Sequence, residues 1–536
     1  MRGDDGQLAG SRPRDGRGGP FRRRAFLWLW LGTVGLSVGS WAQLVGTQWV
    51  FVHDANAATI VALVQTVSTL PVMLLVLPAG VIADAFDRRY LLLGVHGYLV
   101  LTSATLAALL VMGLLPPIVL LGFVFVVNAG TALHAAVWQP LVAELVPRKD
   151  LATATRMDMV SGNLGRMAGP VLAGALIAQL GVEFVFMLNA LCSAAFFAVL
   201  LMWGRPRVRM RRRERFLPAL RAGGRYVRHE PGVRILLGRL AMYLLAASAM
   251  WVALPLIVDR QLGLGAPGYG VLMSLAGLGA VAGALASEGL RRRISANRLV
   301  AISGAVFVVA FASTQIAAMT GLVAVAYLLC GATWTATVST VNAELQLLLP
   351  GWVRARALAM MMVVFAGTQA LASPLWGIVI QVSGLSLAVW IAALVGAVAV
   401  AVGRFWRLPE GIGVDHSPVA EWRDTHVVIL PPPETGPVVL SVEYRVPTDR
   451  QAGFLDAMAS QRRARLRSGA YRWELHQVGE EPEHFVELVT ADTWDGLRRQ
   501  RERSLTVADR AIEAAVMQYV VGPPRTRHLL PPEGHD

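Results

Sequence analysis

The sequence predicts an α-helical membrane protein, with twelve transmembrane helices in two six-helix pseudo-repeats followed by a small α+β soluble domain. Three observations predict it. Hydrophobic residues make up 55% of the chain and charged ones 16%, and the charges gather in blocks between nearly charge-free stretches. Twelve of those stretches are long enough to cross roughly 30 Å of hydrocarbon at about 1.5 Å per residue. Beyond Arg407 the pattern changes to the short alternating and helical segments of a soluble domain.

The chain opens with a Gly/Arg-rich arm, 1–24, expected to be disordered. Arg22, Arg23 and Arg24 precede an apolar run that is too long for a signal peptide and has no small-residue cleavage site, so this run is read as the first span. The spans are predicted at 26–51, 59–83, 91–114, 117–139, 152–180, 184–203, 235–258, 270–290, 298–319, 322–345, 357–381 and 385–406. The connections alternate. One set is short and nearly free of arginine. The other holds Arg88-Arg89, Arg148-Lys149, the block 205–234, Arg291-Arg292-Arg293 and Arg354/Arg356. Basic short loops stay in the cytoplasm, so an even number of spans with both termini cytoplasmic satisfies the pattern, and the membrane is expected to be the cytoplasmic (inner) one. The basic block 205–234 separates an N-terminal half, 25–204, from a C-terminal half, 235–407, and includes segments that can lie on anionic lipid headgroups.

The stretch from Gly80 to Arg89 ends the second span with Gly80-xxx-Asp84-xxx-Arg88-Arg89, and Gly283-xxx-Ser287-xxx-Arg291-Arg292 repeats it at the end of the eighth. The displacement from Gly80 to Gly283 equals that from Pro147 to Pro350 and is one residue less than that from Pro170 to Pro374. An offset that three landmarks hold to within one residue implies two related halves with a pathway between them. Asp84, at the lip of its helix, is within reach of Arg88 and Arg89. Gly80, Asp84, Arg88, Arg89, Gly283, Arg291 and Arg292 are therefore the candidate conformational gate.

Polar residues inside the spans are the candidates for binding and coupling. Arg166 falls past the middle of the fifth span, where a guanidinium costs at least ~2.5 kcal/mol and must face a cavity or a partner. Asn163, three residues earlier, shares its face. Asp158 and His134 are the titratable groups, and Gln43 and Trp334 complete the set. Around Arg166, the small residues Gly165, Gly169 and Gly174 with Pro170 form a helix-packing motif that lets neighbouring helices approach closely.

Past a Pro-rich linker, 408–437, residues 438–530 read as strand, helix, two strands, a helix over 493–519 and a short closing strand near 526–530, the order of a ferredoxin-like domain. It is expected to be cytoplasmic. The net charge of +14 resides in loops and termini, which argues for membrane topology and against nucleic acid. Cys192 and Cys330 lie in separate apolar runs and support neither a disulfide framework nor a metal cluster. No Gly-xxxx-Gly-Lys-Ser/Thr phosphate loop occurs, so direct ATP drive is unsupported, and no cofactor is expected.

The Gly80–Arg89 motif with its echo resembles the major facilitator superfamily over roughly residues 25–407. The resemblance implies a small-molecule transporter working by alternating access, with Asp84 in a latch on the cytoplasmic side and protons as the coupling ion. The Gly165–Gly174 stretch is similar to the glycine-proline signature of the superfamily's exporters, with Ala173 where a glycine is usual. The tail is similar to dimeric modules related to antibiotic-biosynthesis monooxygenases, which implies dimerisation. Those modules act through an asparagine-containing set, and no asparagine follows Leu408, so Trp473 and Trp494 are expected in the core and no enzymatic activity is expected. Body and tail together resemble the enterobactin-exporter-like subgroup, which implies export of a siderophore or other small amphipathic compound. A broad multidrug efflux pump is the first alternative, and a membrane-anchored sensor or enzyme acting through the tail is the second.

Overall fold

The computed structural model describes residues 24–202, 224–316, 319–409, 431–504 and 506–531, without the side chains of Asp84, Arg148 and several others. The expected disordered arm, most of the basic block 205–234 and most of the linker 408–437 lie outside the described residues.

Among the described residues, twelve long helices stand where the twelve spans were expected: α1 (Arg24–Val50), α2 (Ala57–Ala85), α3 (Arg88–Val111), α4 (Pro117–Leu145), α5 (Leu151–Gln179), α6 (Glu183–Met202), α7 (Pro231–Leu256), α8 (Gly265–Arg291), α9 (Ala296–Ser313), α10 (Thr320–Leu348), α11 (Gly351–Ser383) and α12 (Leu385–Phe405). Ten are long and apolar enough to cross a membrane by length and composition. Outside that set lie α5 and α1, the first side chains of α1 being outside the described residues. Polar groups dilute α5, which carries Arg156, Asp158, Asn163 and Arg166. α1 and α5 pack on each other, and Asn163 and Arg166 are half-buried while Arg156 stays exposed.

The packing repeats itself. α1 lies on α5 and α6, α2 on α4, and α3 on α4 and α6. Six helices later, α7 lies on α11 and α12, α8 on α10, and α9 on α10 and α12. Two seams join the sets, α2 against α11 and α5 against α8, and they exchange under the same correspondence. Glycines set the closest approaches. A Cβ on Gly279 would strike the Leu328 carbonyl, one on Gly283 the Ala332 carbonyl and one on Gly331 the Ala276 carbonyl, so α8 and α10 meet backbone to backbone.

The tail contains β1 (Val438–Arg445), α13 (Gln451–Ser468), β2 (Arg472–Val478), β3 (Glu481–Ala491), α14 (Trp494–Ser504), α15 (Val507–Met517) and β4 (Arg525–Leu529). The strands form one antiparallel sheet in the order β2-β3-β1-β4. Alternate residues Val438, Leu440, Val442 and Tyr444 of β1 point into a core shared with Phe454, Met458, Phe485 and Val489. Trp473 and Trp494 pack against that core half-buried. The single helix expected over 493–519 is two helices. Thr506 restarts it by accepting from the Asp509 amide at 3.2 Å, while its hydroxyl donates to Asp509 Oδ2 at 2.6 Å, a cap that ends one helix register and begins another.

The tail touches the body through Arg467 of α13. Its guanidinium donates to Glu230, at the start of α7, at 2.6 Å and also to Asp509. Burial opposes the Arg467 charge, yet Asp509 and Glu230 together hold it more firmly protonated than usual. Beside it Tyr226, 3% exposed, meets the Trp352 ring of α11 edge-on at 5.8 Å. Breaking one member of a buried pair costs about 2–5 kcal/mol. Arg467→Glu is therefore expected to release the tail, read as at least tenfold faster hydrogen exchange over residues 224–230 and 463–468, with the sheet amides unchanged.

Candidate functional site

The arginine-rich end is built by local capping. Asp87 caps α3, accepting from the amides of Arg89 at 2.9 Å and Tyr90 at 3.4 Å. That cap turns the two arginines of the motif in different directions. Arg88 pairs with Glu144 at the end of α4, and Arg89 donates to the carbonyls of Leu200 at 3.2 Å and Leu201 at 3.1 Å, closing the C-terminus of α6. In the second copy, Arg291 pairs with Glu344 of α10 at 3.5 Å and Arg292 with Glu288 one turn back at 3.3 Å. Ser287, where the first copy has Asp84, is buried and bonds Ser339 of α10 at 3.1 Å. The expected partners of Asp84 cannot be placed, because its side chain lies outside the described residues. Gly80 faces open space, whereas Gly283 lies against the backbone of α10.

Glu144 and Glu344 went unnoticed in the sequence. The signal was there: each is an acid in the last turns of an apolar run, shortly before Pro147 and Pro350. Glu344 is 3% exposed, and an acid that deep needs a cation.

In the middle of the bundle, Gly165 and Gly169 bring α5 onto α1. A Cβ on Gly169 would come within 2.7 Å of Trp41 Cβ and the Val38 carbonyl. On the neighbouring face Pro170 and Gly174 meet Gly270 and Ala266 of α8, and the backbone of Arg166 lies against Gly277. Arg166 thus sits where α1, α5 and α8 converge. Its guanidinium lies over the Trp41 ring at 5.1 Å, and its Nε is buried without a hydrogen-bond partner. A cation held by a ring face and left with an unused donor is equipped to take an anion or a carbonyl oxygen. Asn163 is half-buried one turn earlier on α5.

The other candidates do not gather around Arg166. Gln43 accepts from Asn189 of α6, which also donates to Ser103 of α3 at 3.3 Å, so it bonds within the first six helices. Asp158 accepts from Trp138 Nε1 at 2.7 Å, and Trp138 stacks on His134 at 5.7 Å. His134 in turn shares a hydrogen bond with His96, a residue the sequence reading missed. Trp334 belongs to an aromatic group among the last six helices, edge-on to Trp251 at 5.7 Å and Phe365 at 6.0 Å.

Away from the arginines, the two sets of helices are joined by side chains. Tyr269 of α8 donates to Gln48 of α1 and stacks on Trp49 at 5.9 Å, and Gln48 reaches Gln65 of α2 at 3.5 Å. Thr66 donates to the Ala370 carbonyl at 3.1 Å, and Gln381 to that of Ala55 at 3.2 Å. His53 and Asp259 approach to 3.1 Å at the rim.

Comparison with known proteins gives this arrangement a family. The staphyloferrin A transporter of Staphylococcus aureus is 24% identical over 167 residues, 31% of this chain and 42% of that protein. The enterobactin exporter EntS of Escherichia coli is 32% identical over 234 residues, 42% of this chain and 53% of that one. The chain spans about half the length of the curated relatives it matches. Among solved structures, a bacterial homolog of the human lysosomal transporter Spinster, inward-facing and unoccupied, superposes with a TM-score of 0.58 at 14% identity over 72% of this chain and 97% of that one. A bacterial homologue of the iron transporter ferroportin, in its inward-facing state, gives 0.57 at 15% over 72% and 98%. At that identity the likeness is one of fold. The transmembrane secretion effector family matches residues 16–534, nearly the whole chain. The chain is a multi-pass membrane protein of that transporter family within the major facilitator superfamily, and not an enzyme.

Proposed function

We propose that the chain is a secondary active exporter that moves a siderophore or similar small, amphipathic, anionic compound out across the cytoplasmic membrane, by alternating access and at the expense of the proton gradient. In this reading residues 25–204 and 235–407 are two halves that rock about the α2–α11 and α5–α8 seams, with both termini in the cytoplasm. The repeated packing supports it, as do the paired arginines Arg88 with Glu144 and Arg291 with Glu344. The arm 1–24, the linkers 205–234 and 408–437 and the tail 438–530, read as ferredoxin-like from its strand order, lie on the cytoplasmic side.

The observation that carries the cargo class is Arg166, a mid-bundle cation with an unused Nε donor over Trp41 where the two halves meet. The matched siderophore transporters support the same class. Comparative metabolite profiling of cells with and without the protein tests it. Deletion is expected to raise an anionic, hydroxyl-rich compound inside the cell at least tenfold and deplete it from the medium. Accumulation of neutral or cationic compounds alone would turn the reading to multidrug efflux.

A further inference from the structure

We propose that His96 and His134 form a one-proton site, buried among the first six helices, through which the proton gradient drives the exporter. The proposal rests on the exporter reading above and adds to it the place where the driving ion sits.

The site is made by four helices. His96 Nε2 of α3 lies 2.9 Å from His134 Nδ1 of α4, with the rings edge to face at 5.0 Å. Phe196 of α6 covers both rings, at 4.5 Å from His96 and 5.5 Å from His134. One turn along α4, Trp138 stacks on His134 and donates its only polar hydrogen to Asp158 of α5 at 2.7 Å. His96 is 1% exposed, and its second nitrogen, Nδ1, has no partner.

The valence of the two rings limits what this arrangement can hold. In a neutral pair a single hydrogen lies between the rings. If His96 gives it, His96 Nδ1 is a bare lone pair buried without a donor. If His134 gives it, His96 carries its own hydrogen on Nδ1, buried without an acceptor. Either tautomer leaves His96 incompletely bonded, an expensive arrangement for a group that serves only packing. One added proton keeps the shared hydrogen bond and makes it charge-assisted. A second would set two donors face to face and erase it. The pair therefore takes one proton at a time.

The surroundings supply one counter-charge. Asp158 reaches the pair through Trp138. Arg88 and Glu144, on the same two helices, are engaged with each other at the arginine-rich end. Tyr98 of α3 donates to the Val126 carbonyl at 3.1 Å, and Cys192 is the thiol of α6. Among the described side chains, α1 and α2 present no acid or base to the pair. Asp158 also links the site to the cargo position, because α5 carries Arg166 about two turns further along. Loading a proton draws α4 and α5 together through Trp138 and Asp158, and α5 is one of the helices of the α5–α8 seam.

Two measurements on the full chain test this separately. In lipid nanodiscs, Trp138 reports the charge on the ring it stacks against, because an imidazolium quenches indole fluorescence. Subtracting the signal of the Trp138→Phe variant should leave a single one-proton step with pH, absent from His96→Gln and His134→Gln proteins that remain monodisperse. In vesicles, uptake of the catechol carboxylate dihydroxybenzoate is measured with and without an imposed pH gradient. The gradient-driven share is expected to fall at least about tenfold in either histidine variant, and likewise in Asp158→Asn, which keeps an acceptor for Trp138 but loses the charge. A one-proton step in a wild-type protein that moves none of this probe would overturn a catechol carboxylate as cargo and leave the pair as a proton site. Gradient-driven uptake that survives in both histidine variants, or a wild-type protein without the step, would overturn the pair.

Discussion

Replacing Arg166 by methionine is expected to reduce export about a hundredfold while leaving the protein as stable as the wild type or more so. The two halves of this expectation come from one physical fact. A guanidinium in the middle of the bundle, with one ring face for company and a buried Nε that bonds nothing, is a net burden on the folded state. Methionine fills the same length beside Trp41 and Gly277 without the charge, and so removes the cost of burying a cation that no acid pairs. A residue kept for packing would show the reverse, a loss of thermal stability with export falling only as folded protein is lost. Arg166→Lys separates charge from shape. Lysine keeps the cation but loses the planar fork and the ring stacking, so an intermediate loss of about tenfold is expected for an oxyanion cargo. The measurements are initial export rates and melting temperatures on the same purified samples. Full export by the methionine variant would remove Arg166 from the binding site.

The helices and the special place of Arg166 were legible in the sequence for the same reason: both depend on what each residue costs in lipid. An apolar run between arginine clusters has few alternatives to spanning, and an arginine inside it stands out against that background. Partnerships across helices were not legible. Gln43 and His134 were candidates for binding and coupling with no partner named, and Gln43 is bonded to Asn189 and His134 is half of a pair with His96. Nothing in one sequence sets the rotation of α1 against α6 or of α3 against α4, and a wrong rotation of half a turn exchanges core for cavity. Arg89 is a similar case, a gate candidate by motif whose guanidinium closes the end of α6. The tail was more transparent, because period-two alternation in β1 assigns its inward residues directly. Its divided second helix escaped because the restart depends on one cap, Thr506 with Asp509, inside an otherwise continuous helical pattern.

Enlarging the seam glycines is expected to hold the transporter open at the arginine-poor end. At the α5–α8 seam a Cβ on Gly270 would strike the Pro170 carbonyl, and one on Gly174 would come within 2.7 Å of that of Ala266. At the α2–α11 seam a Cβ on Gly377 would come within 2.5 Å of Ala62 Cβ and 2.9 Å of the Ala58 carbonyl. These contacts are largely with backbone, which cannot rotate out of the way, so Gly270→Val or Gly377→Val has to part the seam. Overpacking of this kind costs about 1–3 kcal/mol, and each 1.4 kcal/mol moves a two-state ratio roughly tenfold. The penalty falls on the joined state alone, since in a parted seam the added methyls face open space. The two seams share no residues, so their effects are expected to add and shift the double variant about a hundredfold. Spin labels at Asp54 and Leu264, both exposed at that end of the bundle, would show the distance distribution move to longer values in each single variant and further in the double, with turnover falling in parallel. The same glycines then serve as the hinge of the cycle. An unchanged distribution in a well-folded double variant would mean that the seams yield without parting, and the rocking motion would have to be placed elsewhere in the bundle.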